Sequence, residues 1–140
     1  MSAEELAAFL AEQRVVTCAT LGRDGWPHLM PLWYVVRDGE LWAWTYAKSQ
    51  KVRNLERDPR CTLQVETGDA YDQLRGAMIK AEAVIHREHV LELGVEIFER
   101  YTGAAGDPDA LRAQAAKRVG LQFVARWVAT WAHRKLAGTY

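Results

Sequence analysis

The spacing of apolar and polar positions changes several times along the chain, and each change marks a predicted element. Ser2 followed by Glu5 is a capping-box pattern, and Leu6, Phe9 and Leu10 then recur at helical spacing, which predicts an amphipathic helix over about residues 3–13. Val15-Val16-Thr17-Cys18-Ala19-Thr20-Leu21 is rich in β-branched residues and ends at Gly22-Arg23-Asp24-Gly25, a strand followed by a tight turn. Residues 27–36 predict a second strand closed by Asp38-Gly39, and residues 40–46 a third. Together these read as an antiparallel meander.

The third strand places Trp42, Trp44 and Tyr46 on one face and Leu41, Ala43 and Thr45 on the other. The second is apolar on both faces too, so both strands need cover on each side: a barrel interior on one and, most simply, a second subunit on the other. Pro27 and Pro31 lie within that strand, and proline cannot donate to a ladder. The strand is therefore an edge along part of its length, or it leaves backbone groups free for a ligand. Further along, residues 48–58 predict a short helix ended by Pro59, and residues 60–66 a fourth strand. Residues 68–72 read as a loop, 74–86 as a strand, 88–101 as a helix and 119–131 as a long last strand. Asp107-Pro108 is a cap with proline at the first helical position, opening a helix to about 117. Six antiparallel strands with small helices between them favour a closed barrel, since closure removes the edges.

A chain of 140 residues without repeats or linkers predicts one domain over 1–140. Lys plus Arg and Asp plus Glu both number 18, so the cationic excess of a nucleic-acid or membrane-surface binder is absent. No apolar run approaches the roughly 18 residues of a spanning helix, and the acidic start is no secretion signal. With Cys18 and Cys61 as the two cysteines, and in no metal-type spacing, a reducing cytoplasm is expected. His28, His86, His89 and His133 match no zinc spacing, so no metal is expected. His28 reads most simply as a hydrogen-bonded strand-end residue. Six Trp residues suit a barrel core with a dimer interface, or a site for a flat aromatic ligand, and composition does not separate the two.

The richest chemical signal is the junction from Trp44-Thr45-Tyr46-Ala47 into Lys48-Ser49-Gln50-Lys51-Val52-Arg53-Asn54-Leu55. A helix start offers unpaired amides and a positive dipole end, and a hydroxyl with two lysines completes a phosphate cradle. The alternative is a solvated, salt-bridged surface helix, and on either reading Lys51 is expected to be an exposed lysine that adds little to stability. No nucleophilic triad, Walker loop or Rossmann glycine pattern is present, so any enzymatic chemistry would be carried by a cofactor.

The ordered set Thr20-Leu21, Asp24-Gly25, Pro27-His28, Trp33-Tyr34, Lys48 to Leu55 and Arg57-Asp58-Pro59-Arg60 resembles the pyridoxamine 5′-phosphate oxidase-like split-barrel flavoproteins. Glu99-Arg100-Tyr101-Thr102-Gly103 and His133-Arg134-Lys135-Leu136 resemble the actinobacterial flavin/deazaflavin branch, many members of which use coenzyme F420. The resemblance implies a six-stranded antiparallel split β-barrel (the FMN-binding split barrel) acting as a homodimer with its cofactor at the subunit interface. It puts the phosphate contacts on Lys48, Ser49, Gln50 and Lys51, with Asn54 behind. The ring would lie along Pro31, Leu32 and Trp33 and against Trp44 and Thr45, with Tyr71 reaching in from the other subunit. Arg53, Arg57 and Arg75 are candidates for the groove mouth, where they would favour the glutamate tail of F420.

The end of the chain, His133 to Tyr140, lacks the substrate-binding terminus of true pyridoxamine-phosphate oxidases, which argues against vitamin B6 oxidation. The resemblance therefore implies an F420-dependent oxidoreductase passing hydride to a small conjugated acceptor. FMN as cofactor, or a non-catalytic F420/flavin-binding carrier, are the alternatives. No side chain is assigned as the acid; His28 and Tyr71 are candidates for protonating the product.

Overall fold

The computed structural model describes residues 1–139. Its strands are β1 (Val16–Leu21), β2 (Pro27–Leu32), β3 (Val35–Arg37), β4 (Glu40–Tyr46), β5 (Arg60–Thr67), β6 (Arg75–His86) and β7 (Arg118–Ala132). The helices are α1 (Ala3–Glu12), α2 (Gln50–Arg57), α3 (Val90–Thr102) and α4 (Pro108–Ala115), with 3-10 turns at Tyr71–Gln73 and His133–Leu136. All seven strands form one curled antiparallel sheet in the order β2-β1-β5-β6-β7-β4-β3.

Two expectations fail in the same place. The segment 27–36 is not one strand, and the first strands are not a three-stranded meander, so the sheet has seven strands rather than six. The chain leaves the β1 ladder after Leu32 and rejoins the sheet at Val35 beside β4. Its two halves form opposite edges of the sheet. Pro27 and Pro31 sit four residues apart on edge strand β2, so both nitrogens share one side of the strand and can face the unpaired edge without disturbing the β1 ladder.

The crossing at Trp33-Tyr34 is held by long-range polar contacts. Tyr34 is fully buried, and its hydroxyl donates to the Leu10 carbonyl at 2.6 Å. Its amide donates to the Tyr101 hydroxyl at 2.9 Å, and its carbonyl accepts from Arg100 Nη1 at 2.6 Å. Arg100 also donates through Nη2 to the carbonyls of Ala11 at 3.0 Å and Gln13 at 2.7 Å. It thereby serves the orphan acceptors at the end of α1, whose other end is closed by the Ser2–Glu5 capping box. Trp33 stacks flat on Tyr101, with ring centroids 4.3 Å apart and planes 6° apart.

The inner face of the sheet carries Val16, Cys18, Leu41, Ala43, Leu63, Val65, Ile79, Leu121 and Phe123, and α1 and α2 add Phe9, Leu10, Val52 and Leu55 to the same core. On the outer face of β4, Trp42 and Trp44 pack against Leu93 and Ile97 of α3, while Tyr46 stays exposed. Gly94 of α3 lies so close to Trp44 that a β-carbon there would overlap the indole, and Trp42 stacks on His86 at 4.9 Å. The helix that ends at the positive-φ Gly103 thus supplies part of the cover that this strand needs. Cover is lacking on β2, where Leu29 and Met30 are exposed.

Tyr101→Phe keeps the Trp33 stack but removes the acceptor of the Tyr34 amide. The expected loss is about 1–3 kcal/mol of unfolding free energy, the penalty for an unpaired buried donor. Urea unfolding of the two proteins checks it; an unchanged midpoint would mean that the crossing is held by packing alone.

Candidate functional site

A cleft of about 490 Å³ opens between the turn after β1 and the start of α2, lined by Arg23, Trp26, His28, Gln50 and Asn54 among others. The turn is closed by the Gly22 amide donating to the Trp26 carbonyl at 2.9 Å. α2 begins at Ser49, whose hydroxyl accepts from the Val52 amide at 3.3 Å. That cap leaves the Gln50 and Lys51 amides as open donors of the first turn. Asn54 is fully buried; its amide nitrogen donates to Thr20 Oγ1 at 3.0 Å, and its oxygen accepts from Gln50 Nε2 at 2.8 Å. This polar string ties α2 to β1 and fixes the cleft wall.

Lys51 is the electrostatic anomaly. It is 4 % exposed, and its ammonium donates to Thr45 Oγ1 at 3.0 Å. No carboxylate forms an ion pair with it among the described residues. Burial pulls its pKa below the ordinary lysine value, opposed in part by nearby Cys18. Cys18 in turn is pulled down by a hydrogen bond from Cys61 and by the Lys51 charge. A buried cation with no anion is a standing cost unless something negative arrives.

The family model described as pyridoxamine 5′-phosphate oxidase matches residues 2–132. The conserved hypothetical protein Rv2991 from Mycobacterium tuberculosis is 45% identical, with a TM-score of 0.92 over 100% of this chain and 90% of that one. The chain belongs to the pyridoxamine 5′-phosphate oxidase family. A protein named F420 reductase shares the fold at 22% identity and TM-score 0.75, covering 92% of this chain and 97% of the other. So does an FAD-binding protein from Mesorhizobium loti at 20% identity and TM-score 0.70, over 93% and 94% of the two chains. No curated protein matches the chain.

Against that family background the structure gathers some of the expected residues and disperses others. Thr45, Ser49, Gln50, Lys51 and Asn54 meet at the start of α2, with Lys48 exposed beside them. Lys51 is not the exposed helix lysine expected on either reading, because α2 turns its side chain inward onto Thr45. Pro31 and Leu32 lie on the β2 edge, and Trp33 is held on Tyr101. Pro31 is three residues along β2 from His28, about 10 Å at ~3.4 Å per residue. Trp44 faces α3 on the outside of the sheet, with the Arg118 guanidinium 4.8 Å from its ring centroid. Tyr71 lies past the far end of β5 from α2, its ring 4.6 Å from that of His133. Within one chain neither ring shares the cleft. Arg75 is also far from the groove mouth, paired with Glu12 at 2.6 Å.

The rest of the charged run is partly structural. Arg57 donates to the Leu21 carbonyl. Arg60 grips Asp58 at 2.7 Å and pulls that carboxyl down to about 2. His28 is the residue that the sequence undervalued. Its Nδ1 is buried without a partner, and no hydrogen bond of its ring forms among the described residues.

Because folding lowers the Lys51 pKa, the unfolded chain holds that proton to higher pH than the native one. Its burial penalty is therefore complete at neutral pH and relieved as pH rises towards the ordinary value of 10.5. Lys51→Met should be neutral to about 2 kcal/mol more stable than wild type at pH 7, since an unpaired buried charge is removed. The gap should narrow at pH 10. Urea midpoints for both proteins at the two pH values measure it; a destabilised variant with a constant gap would show that the ammonium is well compensated.

Proposed function

We propose that the protein is an F420-dependent oxidoreductase that reduces a small conjugated acceptor, working as a homodimer in the cytoplasm. The observation that carries this reading is Lys51, a buried cation without a carboxylate at the start of a capped helix. An anionic group at this helix start would meet the open amides of Gln50 and Lys51, with the positive charge of Lys51 close by. The edge of β2 fits a planar ring, because its outer backbone groups are unpaired and its side chains Leu29 and Met30 are exposed. The fold shared with an F420 reductase and an FAD-binding protein supports a flavin-type ligand for this chain as well.

In this reading Lys51, Gln50 and Lys48 hold the phosphoryl end, Asn54 and Thr45 fix the groups that hold it, and Pro31, Leu32 and Trp33 flank the ring. The deazaflavin supplies the hydride when bound. The protein's own part is to orient the ring along β2 and to keep water away from its reactive face. Arg53, exposed on α2, would meet a further carboxylate tail in this reading. A second subunit would cover Leu29 and Met30 and bring Tyr71 into the groove; an interface of at least roughly 1,600 Å² is expected for a stable dimer. A reducing compartment suits Cys18 and Cys61, both buried and free.

Titration with F420 and FMN separately, followed by tryptophan fluorescence, tests the proposal. Saturable quenching by F420 is expected, with Trp26 and Trp33 responding and Trp44 silent. Lys51→Met should weaken binding about 10- to 150-fold, as a charge-assisted hydrogen bond of ~1.5–3 kcal/mol is lost. Arg57→Ala, which removes a structural contact, should weaken it far less. Failure of both cofactors to bind the wild-type protein, or equal affinity in Lys51→Met, would overturn the reading; tighter FMN binding would move it to the flavin.

A further inference from the structure

His28 lies on β2 directly opposite Thr20 and lines the cleft beside Gln50 and Asn54. The neighbouring polar groups are already engaged with one another, since Thr20 accepts from Asn54 and Asn54 accepts from Gln50. None of them forms a hydrogen bond with Nδ1 of His28, which is buried and without a partner. The two ring nitrogens are therefore not equivalent. A proton on Nδ1 would be a buried donor without an acceptor, the rarer and costlier kind of orphan; a bare lone pair there is better tolerated. The proton of the neutral ring consequently belongs on Nε2, the nitrogen left on the cleft side.

We propose that His28 is a ligand-recognising residue of this cleft, held as the Nε2–H tautomer, that donates one hydrogen bond to an oxygen of the bound cofactor. The inference rests on the cofactor reading above and adds a specific donor to it. Such a donor discriminates, because a ligand offering an N–H or a C–H edge at this point leaves Nε2–H unpaired. The accepting oxygen is a phosphoryl or a carbonyl oxygen. Both are matched by the same donor, and the experiment separates them.

The intact protein labelled with ¹⁵N at its four histidines reports the tautomer directly at pH 8, with His28 assigned by the signal missing from His28→Gln. The expected result is protonated Nε2 and bare Nδ1; the opposite tautomer overturns the proposal. Adding F420 or FMN should then shift the Nε2 signal. A shift produced by inorganic phosphate alone assigns the acceptor as phosphoryl, and a shift that needs the whole cofactor assigns it to a carbonyl. Glutamine can place an N–H where Nε2 was, whereas asparagine is too short. His28→Gln should thus bind within about 2-fold of wild type, and His28→Asn about 3- to 10-fold more weakly, as for one neutral hydrogen bond. Unchanged binding by a folded His28→Asn variant, with the wild type binding normally, would overturn the role of His28 and leave the cofactor assignment standing. No binding by the wild type would remove both.

Discussion

The architecture depends on the two-residue crossing at Trp33-Tyr34. One edge of the sheet ends at Leu32 and the other begins at Val35, so this short link holds the curled sheet's two ends together. It has no ladder to hold it. The Arg100 guanidinium and the Tyr101 hydroxyl hold it instead, reaching it from a helix more than sixty residues further along the chain. The same guanidinium serves the carbonyls at the end of α1, so one side chain joins α1, the crossing and α3. The site inherits its form from this constraint. Because the chain leaves β2 at Leu32, β2 stays an edge, and its outer backbone groups have no strand partner.

The chemistry of the site is set by a second tension. α2 turns Lys51 inward to Thr45, next to the Cys18–Cys61 thiol pair, with no carboxylate to balance it. A residue serving stability alone would be apolar here, since the position is 4 % exposed. Stability and binding thus pull Lys51 in opposite directions, which is characteristic of sites that hold charged ligands.

Much of this was legible in the sequence where local rules act. The Ser2–Glu5 box, the Asp38-Gly39 turn with both φ angles positive, and the Asp107-Pro108 helix start formed as their local chemistry requires. The start of α2 was also readable, as Ser49 followed by a charged helical run. The break in 27–36 was not, because Trp33 and Tyr34 are good strand residues and only their distant partners pull them out of the ladder. The inward turn of Lys51 was hidden for a similar reason: a lysine on a short charged helix is ordinarily solvated. Trp44 looked like a ring platform because of its strand face, yet the small size of Gly94, fifty residues away, gives that face to α3. His28 gave no periodic signal at all; only the folded structure, which buries its Nδ1 without a partner, singles it out.

The central claim is spatial: an anionic deazaflavin or flavin lies with its charged end on Lys51 and the first turn of α2, and its ring along the edge of β2. A crystal structure of the protein with F420 tests it most directly. The account requires a phosphoryl oxygen within hydrogen-bond reach of Lys51 Nζ or the amides of Gln50 and Lys51, and the ring beside Pro31 to Trp33. A cofactor found instead in the outer groove by Arg60, Lys80 and Arg126, a cavity of about 520 Å³, would contradict it.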